Sequence, residues 1–199
     1  MKVVLNIEHQ MKSASTSYTK MKLNVREIAL VAIFPALMAA TAGISIPLGS
    51  LPSISLQTMF VFLAGLLLGP KLGTLSIVIY VLMGVIGIPV FSNYRGGISV
   101  LFSQSGGFII GFVFATLFIG IMKSVKFINK NILYILIVLI VGNILIYMTG
   151  AAYISYLTST TIFSVLATFI PYLLGGTIKI SVVMYVYPRI RHAITYEPL

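Results

Sequence analysis

The sequence predicts an all-α membrane protein, a bundle of six transmembrane helices with both termini in the cytoplasm. Three observations carry that expectation. Of 199 residues, 59% are hydrophobic and 8% charged, with a mean hydropathy of +1.09, where a soluble domain carries roughly 25% charged residues. The apolar residues fall into stretches divided by Pro/Gly-rich or Lys-rich breaks, and at about 20 residues per ~30 Å crossing the chain has length for five or six of them. The basic residues gather on alternate connections, which sets the orientation.

Residues 1–22 are polar and basic, with Lys2, Lys12, Lys20 and Lys22 and a Ser/Thr run from Ser13 to Ser17. They lack the continuous apolar core of a cleavable signal peptide, so they read as a mobile cytoplasmic tail, and residues 23–199 as a single membrane domain. The first span, 28–46, comes after Arg26 and Glu27 and is closed by Pro47, Gly49, Pro52 and Ser53. The second, 56–68, ends at Gly69-Pro70-Lys71, and the third, 72–88, ends at Pro89. Glycine pairs at 96–97 and 106–107 mark a folded-in loop before the fourth span, 108–122. Lys123, Lys126 and Lys130 separate that span from the fifth, 132–148. The mixed stretch 153–168 reads as an outer connection with a short interfacial helix; the alternative starts the sixth span near Thr161. On the first reading the sixth span is 171–187, opened by Pro171, whose missing N–H is unpaired in a first turn anyway, and stopped by Pro188.

On this path Lys2, Lys12, Lys20, Lys22, Arg26, Lys71, Lys123, Lys126, Lys130, Arg189 and Arg191 share one side. Arg95 lies opposite, Lys179 lies within a span, and the loops 45–53 and 150–160 hold no Lys or Arg. The positive-inside rule therefore places both termini in the cytoplasm. The net charge of +10 is explained by a lipid bilayer, without nucleic acid.

Cysteine is absent, which excludes a disulfide framework, a thiolate metal site and a catalytic thiol. The three acids, Glu8, Glu27 and Glu197, all lie in the tails or at the edge of the first span. Ion-coupled carriers hold an ionisable acid or an unwound carbonyl cluster at mid-depth; the acid is missing, and a carbonyl-built sodium site stays open. The segment 69–74 has the letters of a phosphate loop without its spacing, so the chain has no means of hydrolysing ATP. His9 and His192 sit in polar ends, far apart in sequence. Neither an enzyme nor a cofactor is expected.

The polar residues inside spans are the candidates for function. Lys179 lies eight residues from Pro171 and eight from Tyr187, about 12 Å along the helix from either. A charge at such depth is by default a functional site; the alternative is a lysine snorkelling along its own stem. Asn143 and Tyr147 share one helix face, either tying helices together or recognising an uncharged polar ring. Gln57 and Thr58 open the second span, and Tyr80 lies in the third, where they can point into the same cavity. In the first span, Ala32, Ala36 and Ala40 form a smooth ridge, suited to close internal packing or to a partner membrane protein.

Together these features resemble the BioY family, the biotin-binding S components of energy-coupling-factor (ECF) transporters. The matching stretches are S-L-Q-T at 55–58, L-A-G-L-L-L-G-P-K-L-G at 63–73, G-V-I-G-I-P-V-F at 84–91, Gly106-Gly107 with I-G-F at 110–112, G-N-x-x-I-Y at 142–147, and the late Lys179. The resemblance implies a six-helix S-component bundle that binds biotin and joins a coupling transmembrane subunit and two cytoplasmic ATPases. It gives Ala32, Ala36 and Ala40 a docking role, since S components dock through an A-x-x-x-A face of the first helix and are thought to topple in the membrane. It offers Lys179, Asn143, Tyr147, Gln57 and Tyr80 to the ligand, with Arg95 a candidate for its carboxylate. The family commonly places an Asp three residues before this lysine, and here that position is Gly176. The lysine's charge is then met by the ligand or by another polar group. Another vitamin as ligand, or a self-sufficient secondary carrier, are the alternatives.

Overall fold

The computed structural model describes residues 24–49, 51–124 and 132–194. The expected basic tail, 1–22, and Lys126 and Lys130 of the basic cluster lie outside the described residues.

The first helix, α1 (Val25–Ala40), starts in a capping box: the Asn24 N–H donates to the Glu27 carboxylate at 2.9 Å, satisfying a donor that a helix start otherwise orphans. Pro35 lies inside it and has no N–H for the carbonyl four residues back. That carbonyl belongs to Val31, and the Ser76 hydroxyl donates to it at 2.7 Å from another helix. Hydropathy carries this span to residue 46, yet the helix stops at Ala40.

A β-hairpin then corrects the all-α expectation. Strands β1 (Ser45–Leu48) and β2 (Leu51–Ser55) pair antiparallel, Ser45 with Ser55, Ile46 with Ile54 and Leu48 with Leu51. Pro47 and Pro52 bar a helix here, and Gly49 turns the chain at φ 65°, a conformation glycine takes without steric cost. The register slips between Ile46 and Leu48, at Pro47, which has no ladder donor to offer.

Helix α2 (Gln57–Val85) breaks at Gly69, φ 76° and ψ −170°. A Cβ on Gly73 would stand 2.7 Å from the Ala64 carbonyl oxygen. Along a straight helix those residues would be separated by about 13.5 Å, so the chain doubles back into two antiparallel arms, 57–68 and 70–85. The break orphans the Leu67 carbonyl, which accepts from Lys123 Nζ at 2.6 Å, a cation at a helix C-terminus.

The segment 86–105 holds two 3-10 turns, Ser92–Tyr94 and Ile98–Val100, and is folded inward, with Val90 and Phe91 each 1% exposed. Helix α3 (Gly106–Lys123) comes next. Helix α4 (Ile132–Thr158) runs ten residues beyond the expected 148, so much of the mixed stretch is helical. The short α5 (Ile162–Ala167) then leads into α6 (Ile170–Ile194). Pro188 does not stop α6, which continues through it. The Arg189 guanidinium donates to the neighbouring Tyr185 carbonyl at 2.5 Å and its carbon lies 3.5 Å from the Tyr185 ring centre.

Among the described residues, four helices are long and apolar enough to cross a membrane: Gln57–Val85, Gly106–Lys123, Ile132–Thr158 and Ile170–Arg191. The shorter α1 joins them. Leu117, Ile121, Ile137, Ile144, Leu174 and Ile178 face outward, as lipid-exposed surfaces require. The Gly69 break and Lys123 meet at one end of the bundle. The hairpin, the 86–105 segment, α5 and the start of α6 meet at the other, where Tyr153 donates to the Leu101 carbonyl at 2.8 Å and Tyr172 to that of Pro52.

Candidate functional site

A cavity opens at the hairpin end, lined by the hairpin, the 86–105 segment and helices α2, α3, α4 and α6. Gln57, Tyr80, Arg95, Tyr147 and Lys179 all line it. With Thr58, which also lines it, six residues singled out from sequence, spread over three helices and a loop, thus converge. Asn143 is buried beside the cavity, 8% exposed, without lining it.

Lys179 is 9% exposed. The buried face of α6 carries Tyr172, Gly176, Lys179, Val183 and Tyr187, a helical spacing that aims the lysine inward rather than along the lipid-facing surface. Its ammonium makes no hydrogen bond or ion pair with the described residues. Glu27 is the one acid among the described residues, and its carboxylate is committed to the start of α1. An ammonium so placed calls for an anion or strong acceptors from elsewhere.

Arg95 lines the cavity from the 86–105 segment. Its Nη2 donates to Ser105 Oγ at 2.8 Å and its Nε to the Ser92 carbonyl at 3.3 Å. Those partners are neutral, so they aim the guanidinium without cancelling its charge. The cavity therefore has two cations and, among the described residues, no carboxylate.

The neutral polar residues serve different ends. Gln57 Nε2 donates to the Val90 carbonyl at 2.9 Å, and the Tyr80 hydroxyl donates to the same oxygen at 3.3 Å. Gln57 Oε1 accepts from Ser55 at 3.2 Å. These two side chains hold the folded-in segment against α2 while forming the wall. Tyr147 donates to the Tyr172 carbonyl at 2.5 Å, leaving its oxygen's lone pairs to accept. Asn143 Oδ1 is buried with no hydrogen-bond partner, an acceptor with capacity unused. A Cβ on Gly176 would stand 2.7 Å from both Asn143 Nδ2 and the Tyr147 oxygen. The absence of a side chain at 176 is what lets α4 bring these two groups against α6.

The apolar walls were not among the residues expected from sequence. Phe108, Ile109 and Phe112 of α3, Ile146 of α4 and Tyr172 of α6 line the cavity. Phe108 and Tyr172 stack with centroids 5.9 Å apart, and Tyr147 meets Tyr172 edge-on at 6.2 Å. In a chain that is 12% aromatic, only the i, i+4 spacing of Phe108 and Phe112 hints that they share a face. Phe91 reaches the wall edge-on to Tyr80, 5.6 Å away.

Ala32, Ala36 and Ala40 are exposed, while Val31, Phe34 and Met38 face the core. The ridge thus lies on the outside of the bundle, away from internal helix packing.

Residues 12–196 match the sequence pattern of the BioY family. The biotin transporter BioY of Thermotoga maritima is 34% identical over 84% of this chain and 96% of its own length. The probable biotin transporter BioY of Pyrococcus horikoshii is 42% identical over 60% of this chain and 74% of its own. Among solved structures, the crystal structure of an S-component for biotin from an ECF-type ABC transporter superposes with a TM-score of 0.78 at 28% identity, covering 86% of this chain and 96% of that one.

Proposed function

This chain belongs to the BioY family, and from that premise we propose that it captures biotin as the S component of an ECF-type transporter. The observation that carries the reading is the cavity's chemistry: two cations, no carboxylate among the described residues, the Tyr147 hydroxyl and aromatic walls, with the unpartnered Asn143 Oδ1 buried just beside it. Biotin is one carboxylate on an aliphatic arm joined to an uncharged ring system with a polar ureido edge. The carboxylate is drawn to Arg95 or Lys179, either of which forms a charge-assisted hydrogen bond with it. The ureido N–H groups need acceptors; the Tyr147 oxygen lines the cavity and offers one, and Asn143 Oδ1, buried beside it, becomes a second when its side chain turns toward the ligand. Phe108, Phe112 and Tyr172 supply apolar surface for the rings. Gln57 and Tyr80 act through Val90, shaping the wall.

The path of the helices supports six crossings, with the two arms of α2 counted separately and the basic end cytoplasmic. The cavity then opens outward. Energy comes from partners, a coupling transmembrane subunit and two cytoplasmic ATPases, with the Ala32/Ala36/Ala40 ridge as the surface the coupling subunit meets.

The test is equilibrium binding of labelled biotin to the purified chain, with uptake measured in cells that also express coupling subunits. Saturable binding competed by unlabelled biotin is expected. No saturable binding and no uptake would overturn the proposal. The vacant side chain at Gly176 favours one second reading, an S component for another vitamin, and competition by thiamine or riboflavin but not by biotin would establish it.

A further inference from the structure

The mouth of the cavity is built from two segments that are far apart in sequence. Among the lining residues, the partly exposed Ser53 and Ile54 of the hairpin form one lip; Ser92 and Arg95 form the other. Whether the mouth stays closed depends on what joins the lips. Among the described residues, three hydrogen bonds connect the 86–105 segment to the hairpin and the turn before it, and all three involve Asn93. Its N–H donates to the Ala42 carbonyl at 2.8 Å, its Oδ1 accepts from Ser45 Oγ at 2.6 Å, and its Nδ2 donates to Ser53 Oγ at 2.8 Å. One side chain thus bonds to both strands at once.

The backbone is shaped for this contact. Asn93 and Tyr94 are both left-handed, φ 61° and φ 54°. Asparagine tolerates that region, whereas a bulky tyrosine adopts it rarely. The two residues reverse the chain between Phe91 and Arg95, which pair backbone to backbone at 2.9 and 3.2 Å. The reversal sends Asn93 toward the hairpin while Phe91 and Arg95 face the cavity. Tyr94 lies over Gly43, whose missing side chain leaves room for the ring.

We propose that Asn93 is a positioning residue that latches the two lips together, so that it governs how fast the ligand leaves and holds Arg95 at the mouth. Asn93 does not line the cavity itself and acts through the segments it joins. The use of biotin as probe rests on the function proposed above. The latch itself does not.

The test uses Asn93→Gly, which keeps the left-handed backbone accessible while removing both side-chain bonds. Labelled biotin should dissociate about tenfold faster from this variant, with the association rate changed by less than about twofold. Asn93→Asp, which tolerates the same backbone and accepts from both serine hydroxyls, should restore slow release. A cysteine-free chain also allows a readout without biotin. With Thr58→Cys as a reporter inside the cavity, a water-soluble maleimide should label the thiol about tenfold faster when Asn93→Gly is added. Unchanged labelling and unchanged release would overturn the latch. Absence of biotin binding to the unsubstituted chain, with labelling still accelerated, would sink the biotin reading and leave the latch standing. Should Asn93→Gly fail to fold, Ser45→Ala removes one of the same bonds from the strand side and should accelerate labelling about threefold; no acceleration there overturns the proposal equally.

Discussion

Lys179 concentrates the chemistry of this chain in one atom, an ammonium on the buried face of α6 with no acid among the described residues to meet it. Its depth was legible from the apolar residues around it; its inward aim depended on how α6 rotates against its neighbours. Lys179→Ala should weaken biotin binding about 100-fold, as expected for loss of a charge-assisted hydrogen bond of roughly 2–3 kcal/mol. The variant should keep the thermal midpoint of the empty protein or raise it, since an uncompensated buried charge is removed. Unchanged affinity would assign the carboxylate to Arg95 alone. Gly176 makes the opposite kind of prediction. Gly176→Ala places a methyl against Asn143 and Tyr147, an overpacking that costs about 1–3 kcal/mol, and should lower both the melting temperature and biotin affinity.

The helices were the most legible elements, because apolar stretches and basic breaks announce them, yet their ends were decided by contacts. Residues 41–46 continue the apolar character of the span before them, and hydropathy alone carries the helix through. Pro47 and Pro52, with the left-handed Gly49, favour a hairpin instead, and Asn93 and Tyr172 bond to it from elsewhere in the chain. Pro188 shows the converse, a proline that a helix absorbs. Pro35 shows how absorption works: the Val31 carbonyl it leaves bare is satisfied by Ser76. Ser76→Ala should therefore destabilise the protein by about 1–2 kcal/mol through an orphaned buried carbonyl. Pro35→Ala returns the backbone donor, so Ser76→Ala should cost almost nothing in that background. A thermal-denaturation double-mutant cycle measures the difference, and additivity would show that the two residues are not coupled.

Across the whole bundle, the inner face of α1 packs on the core while its Ala32/Ala36/Ala40 ridge faces away. Ala36→Leu adds bulk to the ridge without touching the cavity, so biotin binding should be unchanged while co-purification of the coupling subunit is lost. Normal complex assembly would move the docking surface elsewhere. A membrane chain whose cavity is lined by two cations and, among the described residues, by no carboxylate has a place to hold an anion. Hydropathy and charge placement were enough to establish the membrane class, the approximate helices and the depth of Lys179, because crossing a bilayer constrains composition segment by segment. The doubling back at Gly69 was also legible, as the Gly69-Pro70-Lys71 break between the second and third spans, whereas the hairpin, the aromatic walls and the latch at Asn93 came only from the folded chain. They rest on contacts between residues up to 120 positions apart, and packing at that range leaves no periodic trace in a sequence that is apolar almost throughout.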